Sequence, residues 1–187
     1  ELDPDSANYH NSYIDQAKPL LAKSFNYPLN FAEKARLNSL LTMARMSATD
    51  SRLLNPENRK SERLINIELT IQEIIRRGEK VVVYSEWIRA TELLIDFLKE
   101  TNIGYSVFNG TMTAKKRNSE LNSFITKDEV KVFLSTDSGG LGIDGLQLTA
   151  NNVIHVEKLW NPAKIKQRNG RLVRNLQRKD IVNIYNF

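Results

Sequence analysis

The chain has 187 residues, 41% of them apolar and 26% charged, which is enough for one ordinary domain plus an extension and is not the composition of a disordered chain. Its 27 Lys and Arg against 22 Asp and Glu give a formal charge of +5, which favours polyanionic partners without requiring nucleic acid. The absence of cysteine excludes a disulfide framework, a thiolate nucleophile and a cysteine zinc site; the 2 histidines lie far apart and argue against a metal site of any kind.

The first residues, ELDPDSANYH, are too acidic and polar for a signal peptide, and no apolar run approaches the roughly 20 residues that span a bilayer. No membrane partner is expected, and the setting read from the sequence is the cytoplasm, or the nucleus if the source is eukaryotic. All 8 glycines fall at position 78 or later, whereas 4 of the 5 prolines fall at or before Pro56. That asymmetry divides the chain into a helical lead-in, 1–57, and a second part, 58–187. In the lead-in, Leu37, Leu40, Leu41, Ala44 and Ala48 follow helical spacing, and Pro28 and Pro56 punctuate the ends. From Ser61 onward, helix and strand alternate. Leu64, Ile67, Ile71, Ile74 and Ile75 form one apolar helix face, Gly78 offers a stop, and Val81 to Tyr84 read as a buried strand. A helix follows over about 87–100, a strand over about 105–108, a helix over about 113–125 and a strand over 130–135. Further strands are expected at 152–156 and 181–187, with a helix after Pro162 between them. Strands alternating with helices imply an α/β fold, a parallel sheet flanked by helices, and ligands at the carboxyl ends of the strands.

Those strand ends carry the candidate chemistry. The run STDSGGLGIDG, 135–145, has 4 glycines and 3 hydroxyl side chains directly after a buried strand. Its backbone N–H groups could approach a phosphate while Ser135, Thr136 and Ser138 donate to it, although the same composition also describes a glycine-rich turn. Asn109, Gly110 and Thr111 form an N-G turn signal beside a possible phosphate contact. Ser85 reads equally as a helix N-cap and as a phosphate ligand. Asp128 and Glu129 precede their strand, at the wrong end of the sheet for a magnesium pair, and His155 reads as a core histidine. Trp160 is either a core aromatic or an exposed stacking platform.

The segment QRNGRLVR, 167–174, is more constrained. It lies within a stretch from Lys158 to Lys179 that holds 8 lysines and arginines and no acidic residue. Asn161 and Pro162 open a helix, Gln167 lies one turn before Arg171, and Gly170 ends the helix so that Arg171 and Arg174 can project from it. A basic solvated face would have the same composition.

In this order, the pieces resemble the second RecA-like lobe of helicase superfamily two, and within it the Swi/Snf-type DNA-translocating ATPases. The resemblance covers roughly residues 35–187. It rests on SERLINIELTIQEIIRRGEKVVVYSEWIRATELLIDFL, NGTMTAKKRNSELNSF, STDSGGLGID (motif five) and LWNPAKIKQRNGRLVRNLQ (motif six), with LNSLLTMARMSATDSRLL similar to the helical segment that precedes the lobe. It departs from the family at Asp144, where Asn is usual, in the length of GLQLTANN, and in LVRNLQ, which stands for I-H-R-x-G-Q.

The resemblance implies a RecA-like three-layer fold and half of an ATP-hydrolysing motor. ATP and Mg2+ would be held mainly by a first RecA-like lobe of the same full-length chain, since no phosphate loop of the G-x-x-x-x-G-K-[ST] type is present here. Arg171 and Arg174 would act as arginine fingers, and Gln167, Gly142 and Asp144 would line the nucleotide side. Ser85, Asn109, Gly110, Thr111, Ser135, Thr136 and Trp160 would face the sugar-phosphate track of double-stranded DNA. The alternatives are another superfamily-two motor acting on RNA or unwinding DNA, and a nucleic-acid-binding module without catalysis.

Overall fold

A computed structural model describes residues 2–136 and 143–187. Two compact units result, Glu1–Ile65 and Asn66–Phe187.

The first unit is a helical hairpin. Helix α1 (Pro4–Asn26) is started by Asp3, whose carboxylate accepts the Ser6 N–H at 3.0 Å, and by a proline in its first turn. Helix α2 (Phe31–Thr49) opens with a reciprocal cap: Asn30 accepts the Glu33 N–H at 2.9 Å, and Glu33 accepts the Asn30 N–H at 3.0 Å. The two helices pack against each other, with Ala17 and Ala44 fully buried. Beyond α2, the buried Asp50 carboxylate accepts from the Ser61 N–H at 3.0 Å, the Ser61 hydroxyl at 2.9 Å and the Arg52 guanidinium at 2.9 Å. A buried charge with that many donors is compensated, which fixes the course of the link into helix α3 (Glu62–Arg76).

The second unit holds five parallel strands: β1 (Val81–Ser85), β2 (Gly104–Phe108), β3 (Val130–Thr136), β4 (Asn152–His155) and β5 (Asn183–Asn186), in the spatial order β2-β3-β1-β4-β5. Helix α4 (Ile88–Glu100) joins β1 to β2, α5 (Ala114–Thr126) joins β2 to β3, and α6 (Pro162–Asn169) lies between β4 and β5. This is the α/β architecture expected from the alternation of apolar runs, a RecA-like parallel sheet flanked by helices. The β1 run VVVYS is buried at every position, as a strand covered on both faces must be. Val82, Tyr84, Phe108, Phe124, Phe133, Ile143, Leu146, Val153 and Leu172 form the core cluster on one face. Strand β5 is shorter than its sequence run because β4 offers only four partners, Asn152 to His155, and Ile181 is left exposed.

The topology singles out one junction. From β1 the chain leaves through α4 toward β2, and from β4 through α6 toward β5, on the opposite side of the sheet order. The loops therefore diverge at the carboxyl ends of the neighbouring strands β1 and β4, where open α/β sheets form their crevice.

Candidate functional site

At the β1–β4 junction the structure places a buried carboxylate. Glu157, 4% exposed, lies two residues beyond the end of β4. It accepts the Ser85 hydroxyl at 2.5 Å and the Glu86 N–H at 3.0 Å. The Ser85 oxygen also accepts the Trp87 N–H at 3.0 Å, in the turn that precedes α4. Ser85 thus braces the turn before α4 and binds Glu157 while itself fully buried; the helix has no side-chain cap, so the N-cap reading of Ser85 does not hold. Burial pushes the Glu157 carboxyl up to about 7; the Ser85 hydroxyl, the Glu86 N–H and the Arg168 charge oppose that rise. Arg168, buried on α6, sits 5.3 Å over the Tyr84 ring and brings Nη1 to 3.5 Å from His155 Nδ1. His155 stacks on Tyr84 at 5.9 Å, and its Nε2 lies 2.8 Å from Asn169 Oδ1. A neutral imidazole protonated on Nε2 satisfies both contacts.

The second assembly brings the two singled-out arginines to the residues after the undescribed part of STDSGGLGID. Arg171 Nη1 donates to the Ile143 carbonyl at 2.7 Å, and Arg174 Nη1 donates to Asp144 Oδ1 at 2.9 Å. Asp144 Oδ1 also accepts the Gln147 amide at 3.3 Å and the Gly145 N–H at 2.9 Å. These bonds to Gln147 and Gly145, with the charge of Arg174, hold its carboxyl below the usual range. Gly145 makes the turn at φ +96°, where a Cβ would also meet Ile125 Cδ1 at 2.9 Å. Helix α6 opens on Asn161, whose side chain accepts the Ala163 N–H at 2.9 Å, and closes at Gly170, one residue before Arg171. Gln177 closes the far side by donating to the Ala150 carbonyl at 3.0 Å and the Leu172 carbonyl at 3.1 Å.

Leu176 shows what the LVRNLQ departure costs the backbone. It adopts φ +71°, a left-handed conformation that glycine takes without cost, and its side chain is 77% exposed. An L-residue there costs about 1 to 2 kcal/mol, partly offset by the extra freedom glycine has when unfolded. Leu176→Gly is therefore expected to raise stability by roughly 0.5 to 1 kcal/mol, read as a higher urea midpoint. A lower midpoint would show that the leucine compensates for its backbone in another way.

The remaining candidates separate by exposure. Ser135 and Thr136 are buried, whereas Gly110, Thr111 and Gln167 are exposed and Asn109 is half-buried. Asn109 Oδ1 accepts both the Thr111 N–H at 3.2 Å and the Thr111 hydroxyl at 2.8 Å, so NGT is a side-chain-braced turn. Trp160 is 83% exposed and Leu159 before it is buried, which resolves the two readings of the tryptophan in favour of a surface ring. Beside it, Pro162, Ile165, Lys166, Asn169, Gly170 and Val173 line an open groove of about 520 Å³. Gly142 lies outside the described residues. Asp128 is exposed and paired with Lys131 at 2.9 Å. Among the described residues, no three His, Asp or Glu side chains converge as a metal site, and no helix is long and apolar enough to cross a membrane.

A family model, the helicase conserved C-terminal domain, matches residues 60–176. The chain belongs to that family. Over 123 residues, 65% of the chain, this helicase C-terminal domain is 32% identical to the human (Homo sapiens) lymphoid-specific helicase, and it spans 14% of that protein's length. Its fold is that of Swi2/Snf2 ATPase C-terminal domains. The Sulfolobus solfataricus SWI2/SNF2 ATPase C-terminal domain superposes with a TM-score of 0.76 at 20% identity, covering 98% of this chain and 73% of that one. The Sulfolobus solfataricus SWI2/SNF2 ATPase core in complex with dsDNA gives 0.73 at 22% identity, covering 96% and 38%.

Reading the sequence of this helicase C-terminal domain missed Glu157, Arg168 and Gln177. Glu157 left one trace, a carboxylate directly after a buried strand; Arg168 was indistinguishable from its exposed basic neighbours until the fold buried it.

Proposed function

We propose that this domain is the second lobe of a Swi/Snf-type, ATP-dependent translocase of double-stranded DNA. ATP, with Mg2+ held mainly by a first lobe of the full-length protein, supplies the phosphoryl group whose transfer to water drives movement. In this reading the residues here contribute charge and position. Arg171 and Arg174 present guanidinium donors toward the nucleotide when the lobes close, and Gln167 and Asp144 order the same edge. Gly142 belongs with them by its place in motif five. The exposed turn Asn109, Gly110 and Thr111, together with Trp160, contacts the sugar-phosphate track, with Ser85, Ser135 and Thr136 shaping the strand ends behind it. The expected setting is the cytoplasm or nucleus, where duplex DNA is found.

The observation that carries this reading is the joining of two segments 28 and 30 residues apart: Arg171 on Ile143 and Arg174 on Asp144. Both motif-six arginines are thereby tied to the segment that ends motif five. The Arg174–Asp144 pair lies in solvent on both sides, and such a pair is weak enough to exchange for a stronger anion. The DNA complex of the similar Sulfolobus core supports the choice of polymer.

The domain by itself is expected to bind duplex DNA without sequence preference. Phosphate contacts release counterions, so affinity should fall by about tenfold or more between about 50 and about 200 mM salt. The same preparation should show no ATP turnover above background. A flat salt titration, preference for one base sequence, or DNA-stimulated turnover by these residues alone would each contradict the proposal.

A further inference from the structure

We propose that Glu157 is a positioning residue which ties the Ser85–Trp87 loop to helix α6, so that the DNA side and the nucleotide side of the lobe shift together. The inference rests on the function proposed above, because it assigns those two sides.

The topology places Glu157 in the one crevice where neighbouring strand connections diverge, between β1 and β4. From there the carboxylate bonds the loop after β1 and lies in the field of a cation on α6. One oxygen accepts from the Ser85 hydroxyl and the other from the Glu86 N–H, so the loop is gripped at two consecutive residues. On the α6 side it faces Arg168, whose positive charge favours its ionised form. Arg168 also reaches His155, and the next residue, Asn169, meets the other nitrogen of the same imidazole. Lys164 of α6 adds a longer contact of 3.8 Å to the Glu86 carboxylate. The last turn of α6 is thus held at Arg168 and Asn169, and Arg171 is the second residue beyond it. A movement of the loop after β1 is thus passed to the segment carrying the arginines, mainly through the buried groups Glu157, Arg168 and His155. Nothing in the phosphate chemistry itself requires a carboxylate at this place.

The charged groups facing Glu157 are Arg168 from α6 and Glu86 from the loop, with His155 from β4 behind Arg168. Their balance with burial leaves the carboxyl at about 7, well above its ordinary 4.5. The folded state therefore holds the proton more tightly than the unfolded one. Ionisation costs stability progressively as pH rises from the ordinary value to about 7, and above that the charged form accepts from Ser85 and Glu86 and is drawn by the charge of Arg168. Coupling should accordingly strengthen as pH rises through neutrality.

The test uses the full-length protein, with ATP turnover measured with and without mixed-sequence duplex DNA from about pH 6 to about pH 8.5. DNA stimulation of the wild type should rise through about pH 7. Glu157→Gln, isosteric but unable to ionise, should lose stimulation by roughly fivefold or more and show no such rise. Glu157→Asp should retain the rise. If Glu157→Gln does not fold, Arg168→Gln decides: loss of the facing cation should move the rise to higher pH. Stimulation and pH profile unchanged in Glu157→Gln, an Asp variant that fails in the same way as the Gln variant, or an unshifted Arg168→Gln profile would overturn the inference while leaving the proposed function standing. A wild-type protein with no DNA-stimulated turnover at any pH would overturn both.

Discussion

In the full-length protein, Arg171→Ala and Arg174→Ala are each expected to leave ATP and DNA binding nearly intact while turnover falls by as much as roughly 10³ to 10⁵, the range attributed to arginine fingers. The expectation follows from charge that develops only in the transition state, so a donor that meets it there changes rate and not ground-state affinity. The two positions differ in what else they hold. Arg171 bonds the Ile143 carbonyl, and its loss also removes one internal hydrogen bond, a contribution of about 1 kcal/mol. Arg174 bonds only an exposed carboxylate in the contacts described, which makes it the cleaner variant. Lysine should not rescue either position, because one ammonium cannot reproduce the planar, several-donor contact of guanidinium with phosphate oxygens. If both alanine variants keep wild-type turnover but lose DNA affinity and its salt dependence, QRNGRLVR is a DNA-facing patch and the cross-lobe role proposed for it is wrong.

Phe133→Ala should destabilise the domain by about 3 to 5 kcal/mol, a large share of the roughly 5 to 15 kcal/mol that holds a typical fold. Phe133 is fully buried on β3, between β1 and β2, with ring centroids 5.7 Å from Phe108 and 5.1 Å from Phe124. Truncation loses transfer free energy and leaves a cavity that strands and helix α5 cannot close without disturbing the register of β1 with β3. Because β3 ends in Ser135 and Thr136, which the proposed function sets behind the DNA track, the lost packing should weaken DNA binding as well as stability. Phe133→Leu keeps much of the volume and should cost less than half as much. Urea unfolding reads both variants, and a Phe133→Ala loss below about 1 kcal/mol would show that the site collapses without penalty.

Several features of the fold were legible because they depend on residues close in sequence. Val81 to Tyr84 read as a buried strand, and β1 extends it by one residue; the Leu64, Ile67, Ile71, Ile74 and Ile75 spacing read as a helix with one apolar side; and Asn161-Pro162 marked the start of α6 within one residue. The alternation of these pieces was enough for a parallel α/β sheet, and the order of motifs five and six was enough for the family later matched over 60–176. The two ends of the chain were less clear. Helix α1 has Pro19 in its interior and few apolar positions, so its periodicity is weak, and β5 takes its length from β4 and not from its own run.

The sequence by itself determined which segments are strands and helices, where the glycines and prolines interrupt them, and that Arg171 and Arg174 would follow a short helix. Those are local matters of backbone sterics and side-chain periodicity. Only the tertiary structure decided what each polar group does once the elements are packed. Ser85 meets Glu157 across 72 residues, and Arg174 meets Asp144 across 30, because β1 and β4 become neighbours in the sheet and α6 returns over their ends. It also decided that Arg168 is buried while Lys166 and Gln167 are exposed, and that Leu176 must take a left-handed backbone. The physical reason is that burial and hydrogen-bond pairing depend on which strands lie side by side. That order, β2-β3-β1-β4-β5, is a property of the whole sheet, with no counterpart in the spacing of residues along the chain.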